Sequence, residues 1–81
     1  MTKNEKQLAK LKVAKTLSWD DLAKALKVLG YRQIDGDGSR VKFDNGKASQ
    51  LINLHKPHPD KELKAYALRQ VKGKLLEWGL L

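Results

Sequence analysis

The chain is predicted to fold back on itself at Ser39-Arg40-Val41-Lys42-Phe43-Asp44-Asn45-Gly46-Lys47, an alternating run that closes on Asn-Gly. Apolar and cationic residues alternate at its start, as in a β-strand that buries one face. Asn-Gly is the strongest short signal for a two-residue hairpin turn. The pattern therefore predicts one strand over 39–43 and a returning strand over 47–54.

This hairpin also predicts which residues pair across the two strands and which face of the sheet each side chain occupies. With Asn-Gly as the loop, Phe43 faces Ala48 and Arg40 faces Leu51. Val41 faces Gln50, a polar residue that this register places on the core side. Side-chain parity assigns an apolar set to the core: Val41, Phe43, Ile52 and Leu54. It assigns a mostly polar set to the opposite face: Arg40, Lys42, Ser49, Leu51, Asn53 and His55.

Helices flank the strands. Ser18 is a typical N-cap, and Gly30 stands where a helix commonly ends. Between them the apolar residues recur at helical spacing: Leu22, Ala25, Leu26 and Leu29. A short strand over 31–34 and a turn follow. Asp60 is expected to cap the last helix, with Lys61 onward inside it. The inner stripe of that helix is Leu63, Ala67, Val71 and Leu75.

The order of these elements predicts an α+β domain over 18–81, with a helix, three antiparallel strands and a helix. The helices pack on one face of the sheet. Residues 1–17 form a separate lysine-rich segment, and the helical spacing of Leu8 and Leu11 predicts a short, weakly amphipathic helix in it. A solvated tail is the favoured interpretation of this segment. A basic arm on a phosphate backbone and docking of the two leucines on the domain are the alternatives.

Composition narrows the class of partner. The 81 residues include 17 Lys and Arg against 9 Asp and Glu, a net charge of +8. Such an excess favours a polyanion: nucleic acid first, an acidic protein second and an anionic membrane third. The alternative is a charge that only keeps the chain soluble. No cysteine, membrane-length apolar run or secretory signal is found, which favours a cytoplasmic protein without a membrane partner.

Both histidines lie in His55-Lys56-Pro57-His58, and Pro57 and Pro59 stiffen their backbone. Imidazoles transfer protons near neutral pH, since their unperturbed pKa is about 6.5. Two imidazoles bonded to backbone in an ordinary loop are the structural alternative. A zinc site is not expected, because there is no cysteine and no recognised ligand spacing. The sequence calls for neither a metal nor another cofactor.

Several short motifs, taken in order, resemble the HicA family of bacterial toxins. They are Leu29-Gly30-Tyr31, Gly38-Ser39, the run Pro57-His58-Pro59-Asp60-Lys61-Glu62-Leu63, and the closing stretch 68–81. The similarity covers residues 18–81. Members of this family are small mRNA interferases neutralised by a HicB antitoxin, and their fold resembles the double-stranded-RNA-binding domain.

One residue departs from the family pattern. The usual motif is Gly-Ser-His, with that histidine taken as catalytic, whereas this chain has Arg40 there. Arginine cannot shuttle a proton because its pKa lies far above neutrality, but it binds phosphate in a bidentate manner. Either another histidine supplies catalysis, or the protein binds without cutting.

The resemblance implies a metal-independent endoribonuclease that cleaves mRNA and has a HicB-like antitoxin partner. The hypothesised catalytic residues are His55 and His58. The hypothesised phosphate-binding residues are Ser39, Arg40, Lys42 and Lys56. The alternatives are a non-catalytic RNA- or DNA-binding module and a domain whose basic face binds an acidic protein.

Overall fold

The computed structural model describes residues 2–57 and 61–81, which form three α-helices and one three-stranded antiparallel sheet. The helices are α1 (Lys3–Val13), α2 (Trp19–Val28) and α3 (Ala65–Glu77). The strands are β1 (Arg32–Asp35), β2 (Arg40–Asp44) and β3 (Ile52–His55), in the sheet order β1-β2-β3. The predicted α+β class is confirmed, and the architecture is consistent with a fold like that of the double-stranded-RNA-binding domain.

Helix α2 begins and ends as its sequence predicts. The Ser18 hydroxyl accepts a hydrogen bond from the Asp21 backbone N–H at 3.2 Å, which satisfies one of the free donors of the first turn. Gly30 follows the helix with a φ of +93°, a conformation that favours glycine. The apolar stripe between these ends faces the core, and its buried members are Leu22, Ala25 and Leu26.

A single apolar core joins one face of the sheet to all three helices. Phe43 of β2 is almost completely buried, and its ring centroid lies 5.7 Å from that of Trp19. Leu11 of α1 and Leu75 of α3 are fully buried in the same cluster. The remaining buried members are Leu17, Leu22, Ala25, Leu26, Tyr31, Val41, Ile52, Leu63, Leu68 and Val71. The opposite face of the sheet is largely exposed, and no helix of the described ranges covers it.

The predicted hairpin register is wrong by four residues. Phe43 pairs with Ile52 and Arg40 pairs with His55, rather than with Ala48 and Leu51. The assignment of residues to faces is nevertheless confirmed within the strands, because a shift by an even number preserves side-chain parity. Val41, Phe43 and Ile52 are buried, while the alternate positions are exposed.

The register shifts because the turn is longer than Asn-Gly. Asp44 and Asn45 side-chain oxygens each accept a hydrogen bond from the N–H two residues on, at 2.9 and 3.0 Å, so two Asx turns follow one another. A 3₁₀ helix at Ala48–Gln50 then continues the connection. It is held from outside the hairpin, since the Tyr31 hydroxyl donates to the Gln50 carbonyl at 2.9 Å. Gln50 thus avoids the core position that its predicted register required.

The last helix begins at Ala65, so the predicted start at Lys61 is wrong. Residues 61–63 instead pair with 17–19 in antiparallel fashion, with N–H···O distances of 2.7 and 2.9 Å. Extended backbone used in this pairing cannot also be the first helical turn. The predicted cap, Asp60, lies outside the described residues.

The N-terminal segment packs on the domain, so its interpretation as a solvated tail is wrong for the described part. Leu11 is completely buried, and Leu17 also lies in the core. At the end of α1, the Lys72 ammonium donates to the Ala14 carbonyl at 2.9 Å. The alternative, docking of Leu8 and Leu11 on the domain, is confirmed for Leu11, whereas Leu8 is only half-buried. The domain boundary between residues 17 and 18 remains a prediction.

The ion pair between α1 and α2 makes stability depend on pH. The Lys10 ammonium lies 2.7 Å from an Asp21 carboxylate oxygen, and this hydrogen bond lowers the pKa of that carboxyl below its ordinary value of 3.8. The stabilisation is therefore complete above pH 3.8 and is lost as the pH falls through the lowered pKa. We expect Lys10→Ala to reduce the free energy of unfolding by about 0.5 kcal/mol at neutral pH.

Urea unfolding at neutral pH and below the lowered pKa checks this expectation. The difference between Lys10→Ala and wild type should vanish in acid, because protonated Asp21 no longer pairs. Lys12→Ala, an exposed lysine on the same helix, is the matched control and should show no such change. An equal deficit for Lys10→Ala at both pH values would contradict the ion-pair explanation.

Candidate functional site

The open face of the sheet, which the described helices leave uncovered, carries three of the predicted site residues: Arg40, Lys42 and His55. By strand alternation and register it contains Arg32 and Ile34 of β1, Arg40, Lys42 and Asp44 of β2, and Asn53 and His55 of β3. The alternate residues of β2 and β3 point into the core. Because the apolar residues of β2 and β3 are buried on one face, the cations and the imidazole on the other face are exposed to solvent.

Arg40 and His55 are directly opposite one another on adjacent strands. The β-carbons of such partners lie about 4.5–5.5 Å apart, so their side chains share one patch of the open face. The Ser39 hydroxyl lies 3.4 Å from Nδ1 of His55, and which of the two donates depends on the imidazole tautomer. A guanidinium, an imidazole and a hydroxyl are therefore brought together.

Gly36 makes this patch concave. Its backbone N–H donates to the Arg40 carbonyl at 2.8 Å, which places it across from Arg40 on the β1 side of β2. A β-carbon at Gly36 would lie 3.6 Å from that of Arg40, so the missing side chain leaves room there. The resulting groove has a volume of about 520 Å³ and is lined by Ile34, Gly36, Asp37, Arg40, Val41, Lys42, Asn53, Leu54 and His55.

The two cations of β2 are not neutralised by the described part of the chain. Within residues 2–57 and 61–81, the carboxylates closest to cations belong to the pairs Lys10–Asp21 and Arg32–Asp44, the latter at 4.0 Å. Arg40 and Lys42 lie in neither pair. One carboxylate, Asp37, also lines the groove, so Arg40 and Lys42 leave the groove with an excess of positive charge that favours anions.

Lys56 occupies a different position from the other predicted phosphate ligands. Its backbone N–H donates to the Ser39 carbonyl at 2.7 Å, just beyond the end of β3. Its side chain lines a second depression of about 370 Å³ between β3 and α3, which His55, Pro57 and Tyr66 also line. His55 therefore borders both depressions. The other predicted catalytic residue, His58, lies outside the described residues.

Three residues that line the groove have no place in the predicted hairpin or the predicted site: Ile34, Gly36 and Asp37. Gly36 and Asp37 belong to a run whose composition predicts only a turn, and the place of Gly36 opposite Arg40 depends on the pairing of β1 with β2. Ile34 ends a predicted short strand whose faces were not assigned, and it is 39% exposed on the open face. Its parity relative to Phe43 would have placed it there, given the β1–β2 register.

Three aromatic residues near helix ends contribute to the core. Trp19 and Tyr31 are buried, and Trp78 is partly buried against the core. Burial of the Tyr31 hydroxyl raises its pKa above the ordinary value of 10.0. The rings of Trp19 and Tyr31 are therefore not available for stacking on a base.

Neither a metal site nor a membrane-spanning helix is found within residues 2–57 and 61–81. No three His, Cys, Asp or Glu side chains in these ranges are grouped so that they could hold a metal ion. No helix in the same ranges has the length and apolar character needed to cross a membrane.

Comparison with known proteins gives one match. A family model described as the HicA toxin of bacterial toxin–antitoxin systems matches residues 19–78, which include all three strands, α2 and α3. No curated protein and no solved structure matches the chain.

Proposed function

Because this chain belongs to the HicA toxin family of bacterial toxin–antitoxin systems, we propose that it is a cytoplasmic endoribonuclease that cleaves mRNA without a metal ion. A HicB-type antitoxin neutralises it. The observation that carries the proposal is the placement of His55 directly opposite Arg40 on an uncovered, cationic sheet face. Proton transfer and phosphate binding are the two abilities that RNA cleavage requires.

RNA supplies the nucleophile in the proposed reaction. The ribose 2′-oxygen loses its proton to a base and attacks the adjacent phosphorus, and the bond from phosphorus to the 5′-oxygen breaks. An acid protonates that leaving oxygen, so the products end in a 2′,3′-cyclic phosphate and a 5′-hydroxyl. His55 performs one of the two proton transfers, and His58 is proposed for the other.

Cations bind the phosphate during this reaction. Arg40 presents a planar fork that fits two phosphate oxygens, and Lys42 adds a point charge two residues along the same strand. Both charges lack a carboxylate partner among the described residues, so they are free to stabilise the extra negative charge of the transition state. Lys56 is proposed to contact a neighbouring phosphate from the second depression.

Ser39 acts on this site through its hydroxyl. When the Ser39 hydroxyl accepts a hydrogen bond from Nδ1–H of neutral His55, the lone pair is left on Nε2, which suits a base. In the imidazolium form both ring nitrogens carry protons, so Nδ1–H still donates to the hydroxyl while Nε2–H serves as the acid. The hydroxyl can also bind a phosphate oxygen, as proposed from the sequence.

The antitoxin is proposed to bind by charge complementarity. The chain carries a net charge of +8, and the open face holds unneutralised cations. An acidic surface laid over that face would exclude RNA and inhibit the toxin at once.

One observation favours a second candidate, a module that binds RNA without cutting it. Arg40 stands where the resemblance leads one to expect the catalytic histidine, and binding requires only cations. Cleavage distinguishes this candidate from the first.

The direct test is incubation of purified protein with single-stranded RNA in the presence of EDTA. We expect cleavage to continue, because the proposed reaction uses the chain's own imidazoles and cations. The products should carry 2′,3′-cyclic phosphate ends. Intact RNA accompanied by salt-sensitive RNA binding would instead support the second candidate, whereas cleavage that stops with EDTA would contradict the metal-free reaction.

A further inference from the structure

Two cross-strand rows lie side by side on the open face. The first contains Arg40 and His55, the groups proposed to bind and cleave the phosphate. The second runs from β1 to β3 through Ile34, Lys42 and Asn53, which are directly opposite one another. Both rows line the same groove. The second row has no role in the proposed chemistry apart from the charge of Lys42.

Asn53 presents a free amide to this groove. Its side chain is exposed, and none of the side-chain hydrogen bonds within residues 2–57 and 61–81 involves it. An amide offers two donors and one carbonyl acceptor, so it can recognise the edge of a nucleobase. Asn53 precedes His55 by two residues on one strand face, a separation of about 6.6–6.8 Å along the strand.

Ile34 supplies an apolar surface across the groove from that amide. It is 39% exposed, and the other members of the open face are charged or polar. A single exposed isoleucine is ordinary on a protein surface. Its place in one row with Asn53 is more informative, because a base needs contact for its apolar face as well as for its polar edge.

We propose that Ile34 and Asn53 form a nucleobase subsite beside the scissile phosphate. Ile34 contacts the face of the base, and the Asn53 amide reads its edge. Adenine is the expected base, since an asparagine amide pairs with its N6 and N7 in a bidentate manner. The base must be unpaired, because side chains cannot reach these atoms in the narrow major groove of A-form RNA. This inference rests on the proposed binding of RNA to the open face.

Binding of oligonucleotides that cannot be cleaved tests the subsite separately from catalysis. Short 2′-fluoro oligoadenylate and oligouridylate lack the 2′-hydroxyl nucleophile, and fluorescence anisotropy gives their affinities. We expect wild-type protein to bind oligoadenylate about tenfold more tightly, the lower range for a bidentate amide–adenine pair. Asn53→Ala should bind both with nearly equal affinity.

Two further variants sharpen the test. Gln33→Ala removes an exposed amide from the opposite side of the sheet, where it bonds to Asp35 at 3.0 Å, and should keep the wild-type discrimination. Ile34→Ala should weaken binding of both oligonucleotides by about three- to fivefold, because it removes apolar contact without removing the amide. Thermal unfolding establishes that each variant is folded.

Equal affinity of wild type for the two oligonucleotides would overturn the subsite. Tighter binding of oligoadenylate than of oligouridylate by Asn53→Ala would also overturn the subsite. Adenine discrimination that depends on Asn53, in a protein that leaves natural RNA intact, would support the subsite and count against the proposed catalysis. Cleavage of natural RNA without discrimination would support the proposed function and remove the subsite.

Discussion

Replacement of His55 by alanine is expected to slow RNA cleavage by about 100-fold or more, the usual loss when a general acid or base is removed. His55 is exposed at the end of β3, directly opposite Arg40, and is not part of the buried core. The variant should therefore stay folded. Cleavage rates on a defined single-stranded RNA, measured at saturating protein, report this loss in the chemical step.

A comparison of binding with cleavage separates the roles of the two side chains. His55→Ala should retain most of the RNA affinity, whereas Arg40→Ala should bind more weakly and show a smaller dependence of affinity on salt. Lys47→Ala, an exposed lysine in the β2–β3 connection, is a control for the general effect of charge. Undiminished cleavage by His55→Ala would exclude this imidazole from the reaction.

Replacement of Leu11 by alanine is expected to reduce the free energy of unfolding by about 2–5 kcal/mol. Leu11 is completely buried, although it belongs to a segment whose sequence resembles a solvated tail. Loss of its methyl groups would leave a cavity between α1 and the rest of the core. Small domains have only about 5–15 kcal/mol of stability, so the effect is large for this chain. Thermal or urea unfolding measures it.

Val13→Ala is the matched control, since Val13 lies on the same helix and is 81% exposed. Its effect should stay within about 0.5 kcal/mol of zero, as is usual for surface substitutions. If Leu11→Ala unfolds like Val13→Ala, then α1 does not contribute to the core in solution. A large loss for Leu11 alone would make the helix an integral part of the folded unit.

Local patterns predicted those features that depend on neighbouring residues. Ser18 and Gly30 mark the ends of α2 because a cap and a positive φ are properties of the immediate chain. The faces of β2 and β3 follow from alternation alone. They would have been correct under any register shifted by an even number of residues, and the observed shift of four is such a case.

At two other places, contacts with distant parts of the chain produced a structure different from the one that the local sequence predicts. Pairing of 61–63 with 17–19 delays α3 to Ala65, although the sequence after Asp60 favours an earlier start. Likewise, the hydrogen bond from Tyr31 to the Gln50 carbonyl holds a longer connection than Asn-Gly alone predicts. Neither contact leaves a periodic signal in the sequence.

The candidate site depends both on the local sequence pattern and on contacts between distant parts of the chain. Alternation of apolar and polar residues was enough to assign Arg40, Lys42 and His55 to one solvent-exposed face, because burying the wrong face would bury charges. Their proximity required the folded chain. In the predicted register Arg40 faced Leu51, whereas the observed register sets it directly opposite His55. Parity is a local property of a strand, but register depends on how the connecting loop packs against the rest of the protein.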